Sequence, residues 1–242
     1  MKIKYEEMLP NEFLAAIDHM PVFIVPTGLL EWHADHLPLG QDTMKVYGIC
    51  LELAKALGGG IVLPPNYYGR PGYSSYTGTL TYSEGLLHLL FTELFEQLQK
   101  VGAKVVVLLT GHYGDCQVDF IRRVADIYQR EHDGITIIAQ PEYEGVTVDG
   151  ESPSDHAGVW ETSMFWHFYP DLIRMDLFQD VPQPMKLYGE TPPHAFYREP
   201  AEWTWGTQDV PRESSPEKGK RAVDAIVAHL VDKINKAVGE LH

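Results

Sequence analysis

Cysteine is nearly absent: Cys50 and Cys116 are the only two in 242 residues. They offer no disulfide framework and no thiolate zinc cluster, so a reducing compartment fits and imidazole and carboxylate remain as the metal chemistry. Basic residues are scarce as well. Nineteen Lys+Arg stand against thirty-four Asp+Glu, a net charge of −15, and such a field repels phosphate backbones and anionic lipid. Nucleic acid and membrane surfaces are thereby excluded as partners. Long apolar runs are missing too: the longest unbroken aliphatic stretch, residues 105–109, is far too short to cross a bilayer, and residues 1–7 lead into no signal-like segment. The expectation is a cytoplasmic protein. There is no repeat, no low-complexity linker, and neither a Gly-x-Gly-x-x-Gly nor a Walker pattern. With 44% hydrophobic and 22% charged residues, the chain has ordinary globular composition, and residues 1–242 are read as a single domain.

Strand-length apolar runs alternate with helical periodicity. Val22-Phe23-Ile24-Val25 reads as a strand, followed by a helix over 43–57 that Gly58-Gly59-Gly60 closes. A second strand starts at Ile61. Ser83 is placed to cap a helix whose apolar positions are Leu86, Leu90, Phe91, Leu94, Phe95 and Leu98. Residues 104–109 show no alternation, the mark of a strand covered on both faces in a parallel sheet, and a helix over 117–130 and a strand over 135–138 follow. A short helix over 158–168 and a last helix, with Ser215 as N-cap and Pro216 at its first position, complete the pattern. Residues 181–215, with six prolines and the aromatics Phe196, Trp203 and Trp205, read as a lid or subunit-contact loop. The architecture expected is an α/β fold with a largely parallel sheet and helices on both faces.

Three clusters carry possible chemistry among the eleven histidines. Directly after the first strand, Glu31, His33, Asp35, His36 and Asp42 lie within twelve residues. In an extended segment Glu31 and His33 share a face, and a turn at Pro38/Gly40 can return Asp42 toward them. The plainer alternative makes Asp42 the N-cap of the following helix and the histidines ordinary polar residues. The second cluster, Thr110-Gly111-His112-Tyr113-Gly114-Asp115, sits at the carboxyl end of the buried strand, the edge where open parallel sheets bind ligands. The third, Asp155-His156 through Glu161, spans a helix start, where a Glu also has an electrostatic reason to be.

In this order the three clusters resemble the creatininase (creatinine amidohydrolase) family, with its Glu-x-His-x-x-His-Leu-Pro-Leu-x-x-Asp stretch, Gly-His turn and His-Ala-Gly-x-x-Glu-Thr-Ser segment. Weaker agreement extends to residues 76–80 and 215–219. The resemblance implies a three-layer α/β/α sandwich, a homo-oligomeric and often hexameric assembly, and a centre of two divalent ions that can hold a bridging hydroxide. Glu31 and His112 would hold one ion and His33 the other, Asp42 would bridge both, and Zn, Mn or Fe all suit such N/O ligands. His156 matches the catalytic histidine that moves a proton to the leaving nitrogen, and Tyr113 a substrate contact.

Departures from the family pattern are informative. Creatininase proper has a metal-binding Glu where this chain has Gly114, which leaves the second ion short of the three protein ligands usual in catalytic zinc sites. Glu161 is the expected replacement, with Asp115 as the alternative. Thr110 and Asp115 stand where the family has Asn, and Ser152 where creatininase proper has a Trp. The expected function is therefore metal-dependent hydrolysis of a small amide or cyclic amide, at a non-peptide C–N bond, without commitment to creatinine. The rivals are a non-catalytic metal- or ligand-binding member of the same fold and a flavodoxin-like nucleotide binder using the Gly111 turn.

Overall fold

The computed structural model describes residues 1–74, 76–180, 205 and 207–240. Four strands make one sheet in the order β2-β1-β3-β4: β1 (Val22–Thr27), β2 (Ile61–Val62), β3 (Val105–Thr110) and β4 (Thr136–Pro141). All pairs are parallel, with Phe23 opposite Val106 and Val106 opposite Ile137. Parallel neighbours need crossovers, and these are helical: α2 (Gln41–Leu57), α3 (Glu84–Lys100) and α4 (Asp115–Glu131). The chain opens with α1 (Pro10–His19) and ends with α5 (Val159–Phe168), the short α6 (Val210–Glu213) and α7 (Pro216–Gly239).

Strand alternation divides the core into two layers. Val22, Ile24, Val105, Val107 and Leu109 face one way, onto Val46, Ile49 and Leu53 of α2, Met164 of α5, and Ile226 and Leu230 of α7. Phe23, Val25, Val106 and Leu108 face the other, onto Ala16 of α1, Phe91 and Phe95 of α3, and Ile121 and Val124 of α4. Both sheet faces are covered, giving a three-layer α/β/α sandwich, and each large side chain sealed this way contributes roughly 1.5–3 kcal/mol.

Ser83 caps α3, accepting the Leu86 N–H, and Ser215 caps α7, accepting that of Lys218, with Pro216 at the first helical position. The buried stripe of α3 is Leu87, Phe91, Phe95 and Leu98, whereas Leu86 and Leu90 are exposed. Of the expected positions, Phe91, Phe95 and Leu98 are buried and Leu94 packs against the same core; only Leu86 and Leu90 face out, and Leu87 turns inward instead. Sequence periodicity also passed over α1, which Pro10 starts and Glu12 secures by accepting the Leu9 N–H at 2.8 Å. α7 is pressed against α5: a Cβ on Gly219 would lie 1.9 Å from the Ser163 carbonyl oxygen. Ser215 N–H donates to Ser163 Oγ at 3.2 Å, which ties the start of α7 to α5. No helix among the described residues is long and apolar enough to cross a membrane. Phe196 and Trp203 of the expected lid lie outside the described residues. Trp205 is described: its Nε1 donates to the Gln179 carbonyl, and its ring meets Phe178 and the edge of His36.

Candidate metal centre

The site lies where β1 and β3 end. β1 stops at Thr27, and the loop that follows is folded back by the Glu31 N–H donating to the Leu39 carbonyl at 2.9 Å, with Ala34 in the left-handed region at φ 57°. Gly40, not Asp42, occupies the N-cap position of α2. Asp42 is thus free for another role, and its buried carboxylate divides between two imidazoles. Oδ1 is 2.9 Å from His33 Nε2 and Oδ2 is 3.3 Å from His112 Nδ1. Glu31 Oε2 lies 2.9 Å from the same His112 Nδ1, and Glu161 Oε2 lies 3.4 Å from His33 Nε2.

Three candidate ligand groups result, each with its ligand atoms within 4.8 Å of one another: two share Asp42, namely Glu31, Asp42 and His112, and His33, Asp42 and Glu161, and the third is Glu31, His33 and the half-buried His156. Glu31 Oε2, Asp42 Oδ2 and His33 Nε2 have no hydrogen-bond partner although all are buried. Buried polar atoms are ordinarily satisfied, so several orphans aimed at one another suit a shared cation. The remaining atoms of these side chains are anchored. His33 Nδ1 donates to the Glu31 carbonyl at 3.0 Å, which leaves Nε2 as the lone-pair nitrogen. Glu31 Oε1 accepts the Tyr73 N–H at 2.5 Å, and Glu161 Oε2 also accepts the Ala157 N–H at 2.8 Å.

His156 belongs to the third group and stands beside the two that share Asp42. Its Nε2 donates to the Trp32 carbonyl at 2.9 Å, its ring lies 4.3 Å from those of His33 and Tyr73, and its Nδ1 is 3.9 Å from Glu31 Oε2. Burial and the charge on His33 push the His156 imidazole down to about 4. Asp155 accepts the N–H groups of Trp160 and Glu161, orphan donors of the first turn of α5, and burial with Glu161 nearby raises it to about 6. Asp115 opens α4, is exposed, and belongs to none of the ligand groups. A cavity of about 160 Å³ is lined by Glu31, Asp42, Tyr73, His112, Tyr113 and His156, among others.

Two residues escaped sequence reasoning. Lys45, fully buried, donates to Glu161 Oε1 at 2.9 Å and to Tyr113 Oη at 2.6 Å, and pairs with Glu142 Oε1 at 3.2 Å. Tyr113 in turn donates to Glu142 at 2.6 Å, so its hydroxyl is engaged there while the residue lines the cavity. A signal was available for each. Lys45 interrupts the apolar face of α2 three residues after Asp42, and Glu142 directly follows β4 at the ligand-binding edge of the sheet.

A family model described as Creatininase, creatinine amidohydrolase, matches residues 6–234. The creatinine amidohydrolase of Pseudomonas putida is 26% identical, covering 89% of each chain. A mycofactocin precursor peptide peptidase of Mycolicibacterium smegmatis is 26% identical over 65% of this chain and 62% of its own. In structure, a solved creatininase superposes with a TM-score of 0.79 at 23% identity, covering 97% of each chain. Solved creatininases at TM-scores of 0.78 and 0.77 include a manganese form and a mutant of Zn–Zn type, each 23% identical and covering 98% of both chains.

Proposed function

The chain belongs to the creatininase family, a family of amidohydrolases, and from that premise we propose that it hydrolyses a small amide or cyclic amide with two divalent ions, residues 1–242 acting as one domain. Glu31, Asp42 and His112 would hold one ion, and His33, Asp42 and Glu161 the other. The observation that carries this reading is the division of the Asp42 carboxylate, one oxygen toward His33 and the other toward His112. A donor set of nitrogen and oxygen without sulfur suits Zn, Mn or Fe, and the manganese and Zn–Zn forms of creatininase lend support to the first two.

Bound in this way, the ions supply Lewis-acid polarisation of the amide carbonyl and a lowered pKa for the attacking water. His156 moves the proton. With Nε2–H held by the Trp32 carbonyl, its Nδ1 carries the lone pair; it takes the proton lost by the water and hands it to the amide nitrogen as the C–N bond breaks. A cavity of about 160 Å³ supports a small substrate. The relative that is a peptide peptidase makes a short peptide the second substrate class to test.

Chain purified under metal-replete conditions should carry two divalent ions by elemental analysis and cleave members of a panel of amides, cyclic amides and short peptides. His156→Ala should keep both ions and lose about 10²–10⁴-fold in turnover. Absence of transition metal would overturn the metal reading, and two ions with no turnover on any panel member would favour the non-catalytic alternative. A His156→Ala variant that loses metal instead would make His156 a ligand.

A further inference from the structure

Lys45 is costly where it stands. An ammonium taken fully out of water costs several kcal/mol before its partners compensate, and a lysine sharing the face of α2 with Val46 and Ile49 could be replaced by an apolar residue without that cost. Its three N–H donors are spent on Tyr113 Oη at 2.6 Å, Glu161 Oε1 at 2.9 Å and the Gly111 carbonyl at 3.4 Å, and the Glu142 carboxylate pairs with it at 3.2 Å. Glu142 is fully buried and balances the charge of Lys45, so the pair adds no net charge beside the metal centre. What the ammonium does contribute is direction. Glu161 hangs on the first turn of α5, and without Lys45 only the Ala157 N–H would hold its carboxylate, on the oxygen that faces His33.

We propose that Lys45 is a positioning residue: by holding Glu161 Oε1 it turns Oε2 toward His33 and so sets the affinity of the ion shared by His33, Asp42 and Glu161, leaving the other ion untouched. The inference rests on the two-ion reading above. Glu31, the matching carboxylate of the other group, is anchored by a backbone N–H of Tyr73 instead, so the two ions are held by unequally built surroundings. Groups that orient metal ligands typically govern affinity by about 10–100-fold.

The test is titration of chelator-stripped chain with Zn²⁺ in competition with a chromophoric chelator, on the parent and on Lys45→Met/Glu142→Gln. The double change removes one positive and one negative charge together, so the direct electrostatic effect on the ions cancels to first order and orientation remains. The parent should bind two ions. The double variant should bind the first with parental affinity and the second about 10–100-fold more weakly. Made on Glu161→Gln, which itself should retain one ion, the same pair of changes should remove nothing further, because the proposed effect of Lys45 on the ions runs through Glu161 and not through its contacts with Gly111 and Tyr113. Should the double variant unfold, Lys45→Gln, which keeps an N–H donor at shorter reach, should show the same selective loss. Unchanged or tighter binding of the second ion would overturn the proposal, as would a weakened first ion on the Glu161→Gln background, which signals general loosening. A parent chain that binds no Zn²⁺ would overturn the two-ion reading and this inference together.

Discussion

His33, His112 and His156 are the same side chain in three electrostatic settings. Burial lowers all three, but the carboxylates of Asp42 and Glu161 outweigh it at His33 and hold that imidazole at about 9. Glu31 and Asp42 likewise raise His112 well above its ordinary value. At His156 burial and the charge of His33 win. In the metal-free chain the consequence has a definite sign. Below pH 6.5 the His33 imidazolium is present in folded and unfolded chain alike and its pairing with Asp42 stabilises fully; that contribution, on the order of 3 kcal/mol for His33, is lost as pH rises through about 9. Urea midpoints of chelator-stripped protein should fall between pH 6 and pH 10, and a flat profile would contradict the pairing. With ions bound, metal replaces those protons and the fall should vanish. The residues behind this behaviour were legible in the sequence because each ligand cluster is local. Lys45 and Glu142 were each marked by position, but their role was not legible, because it lies in a pairing across almost a hundred positions that no local spacing records.

The elements divide their duties by face and by end. The strands β1 and β3 could be read directly, since short apolar runs rich in β-branched residues, without alternation and of strand length, fit strands buried on both sides. α1 was not legible because only Ala16 of its ten residues is buried, so its pattern is faint. The face of α3 was legible at Phe91, Leu94, Phe95 and Leu98 but not at its edge, where Leu86 and Leu90 are as apolar as Leu87, which turns inward in their stead, and hydrophobicity alone does not choose among them. Two substitutions separate the duties. Gly111 follows β3, and a Cβ there would lie 2.1 Å from the Asp42 carbonyl oxygen, a backbone atom of α2 that cannot step aside without moving the helix. Gly111→Ala should cost about 1–3 kcal/mol and also reduce ion occupancy, because it displaces Asp42. Phe95→Ala, in the opposite layer, should cost more, about 3–5 kcal/mol, yet leave ion stoichiometry intact. Urea denaturation with elemental analysis reads both, and full occupancy in Gly111→Ala would uncouple α2 packing from the site.

Across the whole molecule, residues distant in sequence have to be assembled before any ligand group exists. Ions that bind only the folded chain stabilise it by linkage: at a hundredfold excess over Kd each site adds about 2.7 kcal/mol. For a chain of this length, removing the ions with chelator should lower Tm by on the order of 5–10 °C per site, and a Tm indifferent to chelator would argue that no ion is held tightly. Asp42 belongs to two ligand groups, one reaching His112 and the other Glu161. Ions seated there would tie three stretches of backbone at one point and close loops of roughly 70 and 120 residues, and clasps around long loops remove the most freedom from the unfolded chain. In a protein with only two cysteines, both free, that mineral clasp would serve as a long-range crosslink that can be opened and reset without redox chemistry.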